Sequence, residues 1–204
     1  MSFFARFAQN RGALVGLVIL LLMIAMAVLA PVLFPESPWR MVQRPFLPPF
    51  SQEGFLLGTD TMGRNVAAGL MHGAWVSLLI GLVSTCVALL IGVPLGAIAG
   101  YYGGLVDDAL MRFTEFFQTI PNFALAIVLV AIMQPSVTSI VLAIAIVSWP
   151  PVARLVRAEF MSLRNREYVE AARLVGQSNT TIILRQILPN TLSPIIVLAS
   201  LMVA

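Results

Sequence analysis

The chain has 204 residues, 59% of them hydrophobic and only 10% charged, the balance of a polytopic membrane protein and not of a soluble domain. All 12 basic residues are arginine, so the chain lacks the lysine that a conventional P-loop sets against nucleotide phosphates or that Schiff-base chemistry requires. A net charge of +3, one cysteine (Cys86) and one histidine (His72) suggest no nucleic-acid partner, no intrachain disulfide and no metal site, and both side chains are read as structural.

The predicted elements follow in chain order. Residues 1–34 form a short stub carrying Arg6 and Arg11, then an uncharged run from Gly12 to Phe34. As a helix that run would span roughly 35 Å, enough for the hydrocarbon core. It exceeds the apolar part of a signal peptide, which favours a first transmembrane helix over cleavage near Ala25-Met26-Ala27. Residues 35–72 are a loop outside the bilayer, because Pro35, Pro38, Pro45, Pro48 and Pro49 force extended backbone and turns. Near its end Thr59 or Asp60 is placed to cap a short helix leading into the next span.

A second helix is expected over about 73–99, with Gly92, Pro94 and Gly96 inside it and Gly81, Ser84 and Ala88 small enough to admit a neighbouring helix. Gly100-Tyr101-Tyr102-Gly103-Gly104 then makes a tight turn. Asp107, Asp108, Arg112 and Glu115 open the next helix, whose membrane part covers about 113–133. Gln118, Thr119 and Asn122 lie around Pro121, and positions 118 and 122 share a helical face. These polar groups either line a pore or make a plain interhelical hydrogen bond. A fourth helix is expected over about 137–156, ending in Trp149-Pro150-Pro151-Val152-Ala153-Arg154. A fifth apolar run covers 191–204, cut short of the roughly 20 residues that a spanning helix needs.

Between the fourth and fifth runs lies a charged island, Leu163 to Pro189, with Arg164, Arg166, Glu167, Glu170, Arg173 and Arg185. Two short helices are expected there. The first, Tyr168 to Val175, has Glu170 within reach of Arg166 at i−4 and Arg173 at i+3. Gly176 suits the left-handed residue that closes it, and Ser178 or Asn179 can cap the second. That second helix, Thr180 to Leu188, would put Ile183, Leu184, Ile187 and Leu188 on one side and end at Pro189.

Glu170-Ala171-Ala172, three residues, Gly176, nine residues and a segment ending Leu188-Pro189 resemble the EAA loop of permease subunits in bacterial ABC importers. Arg166-Glu167-Tyr168-Val169-Glu170-Ala171-Ala172-Arg173 is similar to the dipeptide, oligopeptide and nickel branch. Leu57-Gly58-Thr59-Asp60-Thr61-Met62-Gly63-Arg64 resembles that family's LGTD-x-x-GR signature, and the 100–104 turn its GYYGG. Gln186 departs from the pattern, since it stands where the family usually has an apolar residue. Asn65 and Trp75 stand where the branch often has an acid and an arginine.

The resemblance implies an all-α polytopic bundle of the type I importer kind, with residues 163–189 as a cytoplasmic coupling elbow and a C-terminus that looks truncated. Glu170, Ala171, Ala172, Arg173 and Gly176 would dock a cytoplasmic ATPase. The other implied partners are a second permease subunit and an external solute-binding protein. No cofactor is implied.

Topology follows from the arginines. With the N-terminus inside, Arg6, Arg11, Arg112, Arg154, Arg157, Arg164, Arg166, Arg173 and Arg185 face the cytoplasm, against Arg40, Arg44 and Arg64 outside, which obeys the positive-inside rule. The resemblance implies a non-catalytic permease of the bacterial inner membrane, taking up peptides or a related small solute with ATP hydrolysed by partner chains. An ion-coupled carrier or channel is the alternative, disfavoured because the apolar spans hold no carboxylate. A membrane-embedded enzyme would need a nucleophile, base and orienter set that one His and one Cys cannot supply, which leaves a serine-based site as the form open to that reading.

Overall fold

The computed structural model describes residue 7 and residues 9–203; Arg6, counted above among the inward arginines, and the final Ala204 lie outside the described residues. The chain divides into two units, 1–79 and 80–204. Four helices are long and apolar enough to cross a membrane, or five if one bent pair counts as a span.

In the first unit, helix α1 (Arg11–Leu33) is capped by Asn10, whose side chain accepts from the Ala13 N–H at 3.1 Å. Its apolar residues point all round and only Ala27 and Ala30 are buried, as for a helix solvated by lipid. The loop that follows is folded upon itself. Gly58 and Gly63 take φ of +72° and +76°, and a Cβ on either would run into the carbonyl oxygen of Leu47 or Gln43. The buried Thr59 hydroxyl accepts from the Leu47 N–H at 2.9 Å and donates to the Arg44 carbonyl at 2.7 Å.

Neither Thr59 nor Asp60 caps a helix. Asp60 accepts from the N–H groups of Met62 (2.8 Å) and Arg64 (2.9 Å) to fix a turn. The cap is Asn65, whose Oδ1 accepts from Ala67 and Ala68 at 3.0 and 3.3 Å. Helix α2 (Val66–Tyr102) therefore starts at Val66 and not at Gly73. His72 Nε2–H donates to the Phe34 carbonyl at 2.9 Å, tying the end of α1 to α2.

The backbone N–H of Arg64, joined by that of Met62 and by the Arg64 charge, outweighs the opposing effect of burial and holds the Asp60 carboxyl below its ordinary value. A depressed folded-state pKa contributes stability above the unfolded value and loses it as pH falls through the folded one. Proteolytic protection of the 35–65 loop is therefore expected to be flat above about pH 4 and to decline below it. Asp60→Asn should lower protection at neutral pH and abolish that acid-dependent part, as limited proteolysis across a pH series would read.

The second unit runs from Ile80, within α2, through α3 (Gly104–Thr119), α4 (Asn122–Met133), α5 (Val137–Leu163), α6 (Glu167–Leu174) and α7 (Asn179–Val203). The span expected over 113–133 is broken: α3 and α4 meet at 79°. Pro121 explains the break. It disfavours helical backbone at the residue before it, and Ile120 is extended at φ −89°, ψ 130°.

The core of this unit is the packing of α2 on α5. Gly92, Gly96 and Gly100 recur every four residues, one row of a helix face. A Cβ on Gly92 would stand 2.7 Å from Val152 Cβ, and one on Gly100 would stand 2.6 Å from Phe160 Cβ. The helices thus meet backbone to side chain, as small residues allow in membranes. On another side of α5, Trp149 stacks on Phe113 and meets Phe117 edge-on, with ring centroids 5.8 and 5.3 Å apart. Arg157 of α5 forks onto the buried Asp107 of α3, Nε to Oδ1 at 2.5 Å and Nη2 to Oδ2 at 2.6 Å, a bidentate pair with both carboxylate oxygens engaged.

Candidate functional site

The charged island folds as an elbow between α5 and α7. Helix α5 runs on to Leu163, past the expected end at 156. Beyond it, Arg164 Nη1 donates to the Gly100 and Tyr101 carbonyls at 3.1 and 3.4 Å, satisfying acceptors that the end of α2 leaves open. The chain turns at Arg166, extended at φ −78°, ψ 147°, and enters α6.

Helix α6 presents two faces. Val169 and Ala172 point inward and join Phe160, Ile182 and Ile187 in the hydrophobic core. Glu170, Ala171, Arg173 and Gly176 remain exposed, so the two alanines that sequence treats alike are divided between core and surface. Gly176 closes the helix at φ +77°. Its N–H donates to the Arg173 carbonyl (3.0 Å), and the Gln177 N–H donates to that of Ala172 (3.1 Å), the paired bonds of a Schellman close. Nothing lies within 4 Å of where a Cβ on Gly176 would be, so the left-handed backbone, and not crowding, selects glycine.

The pairing expected of Glu170 is absent among the described residues, where ion pairs join Arg40 to Glu36 and Arg157 to Asp107. Arg166 lies outside the helix, on extended backbone, and the Arg173 guanidinium sits over the Tyr101 ring, 5.6 Å from its centroid. Ser178, not Asn179, caps the next helix, accepting from the Thr181 N–H at 3.3 Å. Asn179 Oδ1 instead accepts from the Tyr101 hydroxyl at 2.8 Å.

The second helix does not end at Pro189. Ile182–Ile187 forms a π-helical stretch, and the helix continues through Pro189 to Val203. The wider turn closes at Leu188, whose N–H donates to the Ile183 carbonyl, and the Asn190 side chain donates to the Gln186 carbonyl at 2.6 Å. Pro189 itself falls in the first turn of the α-helical part that begins at Leu188, where a missing N–H is tolerated. The same widening changes which side faces inward. Ile182 and Ile187, five residues apart, are fully buried, whereas Leu184, expected on the same side as Ile187, is exposed.

Gln118, Thr119 and Asn122 are not brought onto one face, because the helix breaks between them. Gln118 is half-buried near the end of α3. The exposed Thr119 returns its hydroxyl to the Glu115 carbonyl at 3.1 Å, and Asn122 opens α4.

Two residues escaped sequence reading. Leu174 and Val175, beside Gly176, are 88% and 75% exposed, an apolar tip on an otherwise polar element. The signal was available: two branched apolar residues directly before a helix-closing glycine, within a charged island, have no bilayer to enter.

An all-helical bundle with four or five membrane-length spans and an anchored polar elbow defines a membrane permease. The chain belongs to the binding-protein-dependent transport system inner membrane component family, in its dipeptide and oligopeptide permease branch. Residues 92–204 match that family and residues 2–49 match the N-terminal TM domain of oligopeptide transport permease C. It is 38% identical to the dipeptide transport system permease protein of Haemophilus influenzae, over 96% of this chain and 68% of that protein. It is 42% identical to the di/tripeptide transport system permease protein of Pseudomonas aeruginosa, over 98% and 68%, and 36% identical to the glutathione transport system permease protein of Pectobacterium atrosepticum, over 98% and 66%. The chain thus spans about two thirds of the length of these relatives. Its fold is similar to a chain of the MetNI methionine ABC transporter, with a TM-score of 0.56 and 18% identity over 63% of this chain and 65% of that one.

The chain is accordingly the non-catalytic, multi-pass inner-membrane component of an ABC importer, and such binding-protein-dependent transport works with an ATPase and a binding protein. The ion-coupled carrier and the membrane-embedded enzyme are set aside.

Proposed function

We propose that residues 163–189 form the cytoplasmic bracket by which partner ATPases drive this permease, and that Leu174, Val175, Ala171 and Gly176 make its contact surface. The exposed apolar tip carries this reading: two branched side chains held in water by a rigid close are costly unless a partner covers them. Glu170 and Arg173 flank the tip as polar rim, and Ala172 fixes the bracket from inside. Closure of the ATPase pair would move the elbow and bias a bistable bundle between inward-open and outward-open arrangements.

The N-terminus is cytoplasmic on this reading, because the arginine distribution puts the elbow there. The 35–65 loop then faces the external solute-binding protein, and a second permease subunit completes the translocation path. The polar break at Gln118, Thr119 and Asn122 lines that path, since polar side chains at membrane depth tend to face the bundle or a wet path. The cargo is a di- or oligopeptide or a related small solute, by likeness to the dipeptide, di/tripeptide and glutathione permeases.

Gly176 provides the test. A branched residue there strains the left-handed backbone by roughly 1–2 kcal/mol but meets no neighbour. Gly176→Val in the assembled transporter should insert normally while uptake falls at least several-fold. Uptake unchanged from wild type would overturn the assignment.

A further inference from the structure

We infer that Tyr101, on the last turn of α2, is a second transmission point between the elbow and the bundle, acting as a positioning residue through Asn179. The inference rests on the elbow reading above and goes beyond it, because the chain connects the elbow only to α5 and α7. Motion passed along the backbone alone would leave α2 a bystander.

Three contacts join the elbow to the end of α2, each from a different part of it. Before α6, Arg164 donates to the Gly100 and Tyr101 carbonyls. On α6, Arg173 lies over the Tyr101 ring. At the start of α7, Asn179 accepts from the Tyr101 hydroxyl at 2.8 Å. The ring itself is 7% exposed and belongs to the core that holds Val169, Ala172, Ile182 and Ile187. The aromatic residue is thus packed by the elbow's inner face, stacked by its first helix and bonded by its second. The backbone just beyond is tightly turned, with Gly103 at φ +66° and Arg164 Nη1 2.7 Å from where its Cβ would be.

Mechanically, the link matters because α2 lies against α5 through Gly92, Gly96 and Gly100. With its end also clamped to the elbow, α2 has to follow a displacement of α6. The Tyr101–Asn179 bond joins α2 to α7, so the helices on both sides of the elbow move as one body with α2.

The test uses the complete transporter with its ATPases, in liposomes, reading solute transported per ATP hydrolysed. Tyr101→Phe keeps the packed ring and its Arg173 contact and removes only the hydroxyl. Asn179→Ala removes the acceptor. Each should leave ATPase co-purification at wild-type level and lower transport per ATP by about fivefold, the factor that one net hydrogen bond is worth. The double variant should be no worse than either single one, because both remove the same bond, and Asn179→Asp, which keeps an acceptor, should restore coupling. A merely structural role would lower protein yield and leave the ratio intact. Wild-type transport per ATP in Tyr101→Phe, with ATPases bound, overturns this inference alone. ATPases that never engage the wild-type elbow overturn the elbow reading and this one with it.

Discussion

Gly96→Leu is expected to destabilise the folded bundle by about 3 kcal/mol or more. A Cβ at position 96 alone would run into the Ala153 carbonyl oxygen and stand 2.8 Å from Val156 Cβ and 3.0 Å from the Arg157 backbone nitrogen. Two of those atoms are backbone, and Val156 is fully buried, so no flexible side chain is free to yield. Relief requires α2 and α5 to separate along their whole contact. That separation also loosens Phe160 and the seat of the elbow. Overpacking a well-packed core typically costs about 1–3 kcal/mol and occasionally more, and the upper end is expected here. Gly96→Ala should show the same effect in reduced form. Thermal unfolding in detergent, or protease resistance in membranes, would measure both, whereas Gly16→Leu on α1, where a Cβ meets nothing within 4 Å, should leave both readouts unchanged.

Leu174→Asp is expected to do the opposite, sparing the fold while disabling the assembly. The side chain is 88% exposed, and substitutions at such positions usually change stability by less than about 0.5 kcal/mol. Within a protein interface, a carboxylate replacing a buried branched residue both loses apolar contact and strands a charge. Central interface positions of this kind lose about 2 kcal/mol or more on truncation alone, which is roughly 30-fold in affinity. Val175→Asp should behave alike, and Leu184→Asp, exposed but on α7, should not. Pull-down of the ATPases with each full-length variant, normalised to membrane-inserted permease, would separate them. Equal recovery from Leu174→Asp and wild type would remove the tip from the docking surface.

The elements were legible where local chemistry decides them. An uncharged run such as Gly12 to Phe34 has to be helical in lipid because its backbone groups have no other partners there. Gly176 was readable because a left-handed close tolerates almost nothing else. The misreadings share a cause, which is that an alternative donor or a changed period came from outside the local window. Asn65 took the capping role expected of Thr59 or Asp60, because both were engaged within the folded loop. Pro189 did not stop its helix, because the π-helical stretch ends just before it and leaves it in the first turn of the α-helical part, where a missing N–H is tolerated. That stretch also turned Leu184 outward and Ile182 inward, which a 3.6-residue period does not anticipate.

Composition and pattern therefore determined by themselves that this chain lives in a bilayer, that several apolar runs are long enough to cross it, and that one polar elbow interrupts them. Each of these follows from hydrophobicity and backbone satisfaction along a short stretch. Only the tertiary structure decided that Ala171 and Ala172 face opposite ways, that Gln118 and Asn122 part company at a 79° bend, and that Tyr101 reaches Asn179. Those outcomes depend on which helices approach closely enough to bury or bond a side chain, and residues 78 positions apart carry no local signal of having met.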